Sequence, residues 1–257
     1  MDAQNIEAKV KNANKEFYDL VSNSYEKIDG KRAATTEKWI SGKLKRISED
    51  GLDGNSSEKS LLDIGCGTGF IMRNANPYFK KRVGVDISHK ILVPLQKQGY
   101  MVVCADTDHL PFKENSFSVV TCFAVLHHLY SYDKIIPEIY RSMKKGGIFY
   151  SDHDLDENFA KRFSLFMHVY RAICNEEKKY RKANKKITSE LYHFTEIHHR
   201  GISQEKIQAL LQKEFKHVYT YYHWLGLFPL LTKILLTFKI RPFQQGNAPL
   251  VSFVARK

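Results

Sequence analysis

The sequence predicts an α/β fold, a doubly wound and mainly parallel seven-stranded sheet, and three observations carry that expectation. An apolar run, Leu61-Leu62-Asp63-Ile64, leads into the glycine turn Gly65-Cys66-Gly67-Thr68-Gly69, which reads as a buried strand, a tight turn and a helix start. Two further strand-like runs end in carboxylates, at Asp86 and Asp106. Over residues 61–152 such runs alternate with helix-like segments, which argues βαβ units around a parallel sheet.

Taken in order, residues 1 to about 55 read as helices. Phe17, Leu20, Val21, Ser24 and Tyr25 set an aromatic and apolar stripe at helical spacing. A second helix is expected over 35–47, and the polar, glycine-bearing residues 48–57 form a loop into the first strand. Strands are expected at 60–64, 82–86, 101–104, 117–122 and 147–152. The clearest helix between them covers 133–144, with Ile135, Ile136, Ile139, Tyr140 and Met143 at helical spacing and Gly146-Gly147 as its stop.

Residues 155–200 break the alternation. Phe163, Leu165, Phe166, Val169, Tyr170 and Ile173 suggest an apolar helix, and the basic run 178–186 follows, a pattern that belongs to a solvated face more often than to a binding site. Ser203 should cap a further helix. Residues 215–222 and 250–255 read as the last two strands. Between them, 224–240 is strongly apolar but interrupted by Pro229, Lys233 and Lys239, and it falls short of the roughly 20 apolar residues of a membrane span. It suits a helix closing an apolar pocket, or an interfacial helix with its lysines toward anionic headgroups.

The 257 residues, 43% of them hydrophobic, suit one large domain with an inserted segment. A net charge of +12 is compatible with nucleic acid, an anionic membrane or an acidic substrate, and equally with simple solubility. The four cysteines, Cys66, Cys104, Cys122 and Cys174, have no metal-ligand spacing and read as reduced thiols. No metal is expected. The first residues lack the regions of a signal peptide, so a cytoplasmic location is expected, with peripheral membrane contact through 224–240 as its variant. Oligomeric state is not readable.

The glycine turn departs from the dinucleotide fingerprint G-x-G-x-x-G, whose third glycine would stand where Phe70 is. Asp63, Asp86 and Asp106 would converge on one crevice, where three carboxylates repel a pyrophosphate. They suit a ligand with an ammonium, a ribose diol and an exocyclic amine.

The series Asp63-x-Gly65-x-Gly67-x-Gly69, then Asp86, then Ala105-Asp106 with Leu110-Pro111-Phe112, then Val125-Leu126-His127-His128-Leu129, then Lys145-Gly146-Gly147 resembles the class I S-adenosylmethionine-dependent methyltransferases, and within them the broad small-molecule branch. The resemblance covers about 18–147 and resumes at the carboxyl end. It implies an amino-terminal helical lid (1–57), a methyltransferase domain (58–257) with a helical cap inserted at 155–200, and a last strand antiparallel to the others. It implies S-adenosylmethionine as cofactor. Gly65, Cys66, Gly67 and Gly69 would approach its methionine and ribose, and Asp63 would orient the ammonium. Asp86 would accept the ribose hydroxyls, Ile87 would pack on the adenine, and Asp106 with Thr107 would meet the adenine amine. Phe123 would pass under the methionine chain, and Tyr25 would fold over it.

Methyl transfer from a sulfonium requires alignment of the acceptor, exclusion of water and at most one general base. His127 and His128, after the fourth strand, and His153, after the fifth, are the candidate bases, since a neutral imidazole accepts a hydroxyl proton near physiological pH. His193, His198 and His199 in the insert suit either the lining of an acceptor pocket or a plainly exposed surface. The run Cys122-Phe123-Ala124-Val125 lacks the prolines that follow the catalytic residue in base-methylating families, which lowers the nucleic-acid reading. The expected acceptor is small or lipophilic, methylated at oxygen, with carbon and nitrogen as the alternatives. An RNA or protein methyltransferase using the basic insert, and a cofactor-binding regulatory protein without turnover, stay open beside it.

Overall fold

The computed structural model describes residues 3–28, 34–50, 52, 59–224, 237 and 243–257. Seven strands form one sheet: β1 (Ser60–Ile64), β2 (Lys81–Asp86), β3 (Met101–Cys104), β4 (Phe117–Phe123), β5 (Met143–Leu155), β6 (His217–His223) and β7 (Leu250–Arg256). Their order is β3-β2-β1-β4-β5-β7-β6. The pairs among β1 to β5 are parallel, and β7 runs antiparallel to both β5 and β6, as the family resemblance implies. The order reverses direction at β1, which makes the carboxyl end of β1 the switch point where ligands of such sheets bind.

Successive residues of a strand face opposite sides of the sheet, and β1 and β4 show it. Leu62, Ile64, Val120 and Cys122 join Ile135, Ile136 and Ile139 of α6 (Ile135–Ser142) and Ile207 and Leu211 of α11 (Gln204–Glu214). Leu61, Val119 and Phe123 instead join Ile40, Leu44 and Ile47 of α3 (Ala34–Asp50) and Ile71 of α4 (Phe70–Asn74). Beyond β2, α5 (His89–Lys97) buries Ile91, Leu92 and Leu95 against Met72.

The amino-terminal helices divide between two tasks. α3 is part of the sheet's outer layer, whereas α1 (Ala3–Val21) lies elsewhere and buries Val21 and Phe17 with Ile187. The expected stripe through Ser24 and Tyr25 is corrected: α1 ends at Val21, and α2 (Tyr25–Ile28) begins after a turn in which Ser24 N donates to Val21 O. The loop expected from residue 48 is also shorter, because α3 continues to Asp50. Gly146 and Gly147 do not stop a helix. α6 ends at Ser142, and the two glycines lie in β5, where the pairing with β4 jumps from Met143 to Ile148 while β4 advances only from Phe117 to Val119. A Cβ on Gly147 would come within 2.8 Å of Lys144 O and 3.0 Å of Ser118 O, so that bulge closes only around a glycine. Ser203 occupies the cap position of α11 but makes no capping bond with its side chain.

Four helices fill the insertion after β5: α7 (Glu157–Arg162), α8 (Ser164–Cys174), α9 (Glu176–Ala183) and α10 (Ser189–Thr195). A bridge between Asp156 and Ile202 returns the chain to the sheet. The apolar helix expected here is α8, and Leu165, Phe166, Val169, Tyr170 and Ile173 on it are exposed. Of the apolar stretch 224–240, only Trp224 and Thr237 are among the described residues, so the pocket and membrane readings of 224–240 lie outside them. Among the described residues no helix is long and apolar enough to cross a membrane.

Asp152 ties the sheet to α3. Its side chain is fully buried and accepts from His223 Nε2 (2.7 Å), Trp39 Nε1 (3.1 Å) and the Tyr150 hydroxyl. Burial pushes its pKa upward, but the bonds from His223 and Tyr150 outweigh it and hold the group below the usual carboxylate value. Asp152→Ala is expected to cost about 1–3 kcal/mol for the donors left unpaired, read as a lower urea midpoint with an unchanged slope.

Candidate active site

Gly65, Gly67 and Gly69 carry positive φ (64°, 49° and 85°), a region that side-chain-bearing residues rarely enter. A Cβ on Gly65 would come within 2.4 Å of Val125 Cγ2, whereas one on Gly67 would meet nothing within 4 Å. Gly67 thus fronts open space. That space is a cavity of about 300 Å³ at the ends of β1, β2 and β4. Asp63, Gly65, Cys66 and Gly67 line it from the turn; Asp86, Ile87, Asp106 and Thr107 line it from the next two strand ends; Phe123 and Tyr25 complete it. Gly69 is the exception and corrects the expectation: it caps α4, and a Cβ there would lie 2.6 Å from Leu95 Cδ2. Its role is the close packing of α5 on the turn.

Asp86 is buried, with Oδ2 accepting from Gly67 N (3.0 Å) and Oδ1 from Ser88 N (2.9 Å). Burial pushes its pKa up to about 6 despite those two donors. Each oxygen keeps a second lone pair, which suits the paired hydroxyls of a ribose. Asp63 is buried at the far side of the turn and accepts from Thr121 Oγ1 (2.8 Å). Asp106 is less open to a ligand than expected: Oδ1 accepts from Asp108 N (3.0 Å), and Oδ2 pairs with Lys11 Nζ (2.8 Å). Burial opposes the Lys11 charge, but its bonds to Asp106 and Asp108 prevail and raise it above the usual lysine range.

Lys11 belongs to α1, which lies along the cavity. From the same face Asn14 donates to His128 O (3.2 Å), and the Tyr18 hydroxyl meets His128 Nε2 (2.8 Å). At the far end Asp19 accepts from Ser88 Oγ (2.7 Å). Of the residues expected to be a lid, α1 and Tyr25 are the ones that reach the cofactor cavity together with Glu26 and Glu37. The sequence signal for Lys11, Asn14 and Tyr18 was available in their three- and four-residue spacing, a polar stripe beside the apolar one.

The three candidate histidines have different surroundings. Thr195 O accepts from His128 Nδ1 (2.8 Å), so Nε2 is left to accept from Tyr18. Both ring nitrogens are then used within the protein. Burial, followed by the neighbouring His127, lowers the His128 pKa to about 4. His128 thus ties α1 to α10 through both ring nitrogens. His127, in a 3-10 turn over Leu126–His128, directs Nδ1 and its backbone N–H to buried Asp154 Oδ1 (2.7 and 3.1 Å). A carboxylate only accepts, so Nδ1 carries the proton and Nε2 is the basic nitrogen. His153 has φ 76° and stacks on Phe123 with 4.6 Å between ring centres. Asp152 accepts from the His153 backbone N–H (2.6 Å) and directs its side chain to His223 and Trp39, while Asp154 serves His127.

A second cavity of about 780 Å³ lies on the other side of these rings. His127 and His153 line it, whereas His128 and Phe123 line the first. Two ring pairs, His127 with His128 (3.9 Å) and His153 with Phe123, thus stand between the cavities. Leu155, Phe159, Met167 and Trp224 give the second cavity an apolar wall, and His193, His198 and His199 line it from the insertion. His127, His128 and Glu196 bring potential ligand atoms within 4.8 Å of one another, but a cation there would have to displace the bond from His128 to Thr195.

A family model described as a methyltransferase domain matches residues 62–151. The tRNA (carboxymethyluridine(34)-5-O)-methyltransferase of Arabidopsis thaliana is 35% identical over 100 residues, 37% of this chain and 24% of that protein. A ubiquinone biosynthesis O-methyltransferase of Hydrogenovibrio crunogenus is 28% identical over 126 residues, 46% of this chain and 51% of that one. The chain spans about half or less of the length of these curated relatives. A solved S-adenosylmethionine-dependent methyltransferase of Thermotoga maritima shares the fold, with a TM-score of 0.57 at 19% identity over 95% of this chain and 99% of that one. The buried carboxylate at the end of β2, the open approach at Gly67 and the methyltransferase domain matched over residues 62–151 agree on one cofactor, S-adenosylmethionine, and the chain has the fold of the S-adenosylmethionine-dependent methyltransferases.

Proposed function

We propose that this protein methylates an oxygen of a small or lipophilic acceptor held in the second cavity. The observation that carries the reading is the partition: the cofactor cavity and the larger, partly apolar one meet at His127 and Phe123, and His127 is backed by a buried carboxylate. The cofactor, when bound, supplies an electrophilic methyl group on a sulfonium. The chain's own part is to hold it with Asp86 and the glycine turn, to cover it with α1, and to align the acceptor beside it. His127 Nε2 takes the acceptor's hydroxyl proton, and Asp154 fixes the imidazole and stabilises its charged form.

The ubiquinone biosynthesis relative is itself named for O-methylation, which favours this acceptor chemistry. A second reading, an RNA acceptor, draws on the tRNA-modifying relative and on the exposed cations of α9. A single assay separates them. Purified protein with methyl-labelled cofactor is offered phenols and hydroxylated quinone precursors, or tRNA. Label is expected in an organic-soluble methyl ether. Label in tRNA, with binding that falls steeply with salt, would establish the second reading instead. Binding of S-adenosylhomocysteine without transfer to either class would mark a regulatory protein.

A further inference from the structure

α8 carries its apolar residues on the outside. Leu165, Phe166, Val169, Tyr170 and Ile173 fall on one helical face, and Leu165 and Ile173 are each 78% exposed. Met167 is the buried residue of this helix. A contiguous apolar face of this kind marks a contact surface. Asn175, with φ 27° and ψ 68°, turns the chain at once into α9, where Lys178, Lys179, Arg181 and Lys182 are exposed. Exposed Lys185 and Lys186 follow. Phe166 and Tyr170 also line the second cavity, so the outer apolar face and the cavity wall share one helix.

We propose that the exposed face of α8, together with the cations of α9, docks on an anionic lipid bilayer and brings the second cavity to the membrane surface. Apolar side chains reach the acyl boundary while neighbouring lysines and arginines meet lipid phosphates, the two attractions that hold an interfacial helix. A second copy of the chain fits this surface poorly. A two-fold contact sets the same patch against itself, which would bring the α9 cations of two molecules of net charge +12 together. Entry of the acceptor from the bilayer rests on the lipophilic-acceptor reading above; the docking itself does not.

The test is sedimentation of the full chain with phosphatidylcholine vesicles and with vesicles containing one-third phosphatidylglycerol. Binding is expected to the anionic vesicles and to fall at least tenfold in L165E/I173E, with S-adenosylhomocysteine affinity unchanged. Replacing Lys178, Lys179 and Lys182 with glutamate should abolish the preference for anionic lipid. As a measurement independent of charge insertion, a polarity-sensitive dye on Val169→Cys should shift to the blue with anionic vesicles. A wild type that stays in the supernatant with both lipids overturns the inference. So does a wild-type dimer that L165E/I173E makes monomeric without any vesicle binding, or binding that L165E/I173E leaves intact. If docking fails while soluble acceptors are still methylated, the acceptor reading survives. If docking holds and no lipophilic acceptor turns over, that reading fails and the docking stands.

Discussion

His127→Ala is expected to lower the rate of methyl transfer to a hydroxyl acceptor by about 10²–10⁴-fold, the usual contribution of a positioned general base, while leaving S-adenosylhomocysteine affinity within a factor of two or so. The asymmetry follows from the partition, because His127 lines the second cavity and not the first. Asp154→Asn should reduce the rate as well. An amide can donate to Nδ1 and stabilise the tautomer that turns the lone pair away from Nε2. Single-turnover rates with calorimetric affinities check both variants. His128→Ala offers the contrast: its ring nitrogens serve Thr195 and Tyr18, so its loss should loosen α1 and weaken cofactor binding more than it slows the chemical step. A His127→Ala enzyme with undiminished turnover would remove the base from the mechanism and leave alignment alone to account for the rate.

Asp86→Ala should weaken S-adenosylhomocysteine binding by about 1.5–3 kcal/mol, the range for a hydrogen bond to a charged group, measured by isothermal titration. The same carboxylate gives binding a pH dependence. Burial raises its pKa from 3.8 to about 6 in the free protein, and two ribose hydroxyls bind the ionised form better than the protonated one. Affinity should therefore be level above pH 6 and fall as pH drops through about 6, up to tenfold per unit. Stability of the free protein runs the opposite way. A carboxylate whose folded pKa is raised is destabilising when ionised, so this group's penalty is full above about pH 6 and disappears as the pH falls through 6 toward 3.8. In Asp86→Ala both dependences should vanish. A pH-independent affinity in the wild type would show that Asp86 does not contact the ribose.

The alternation of strands and helices, the glycine turn and the acidic strand ends were legible because each depends on neighbours in the chain. Leu61 and Leu62 face opposite layers because adjacent residues of any strand do. Asp86 reaches Gly67 because two adjacent parallel strands end together at the switch point. Local pattern was less informative where tertiary packing settled the outcome. The Gly146-Gly147 pair has the appearance of a helix stop, but pairing with β4 draws it into a strand bulge. The apolar spacing of α8 promises burial, yet spacing records only that one face is apolar and says nothing about what covers it.

The sequence by itself determined the fold class and the part of the first cavity built by the glycine turn and the acidic strand ends, since these follow from short-range periodicity and from motifs closed within a few residues, whereas the wall that α1 adds with Lys11, Asn14 and Tyr18 did not. Only the tertiary structure decided which ring nitrogens of the two adjacent histidines the protein itself engages. That depends on Asp154, Thr195 and Tyr18, which approach His127 and His128 from 27, 67 and 110 residues away. A hydrogen bond assigns a tautomer through its partner's chemistry, and no periodicity along the chain encodes a partner so remote.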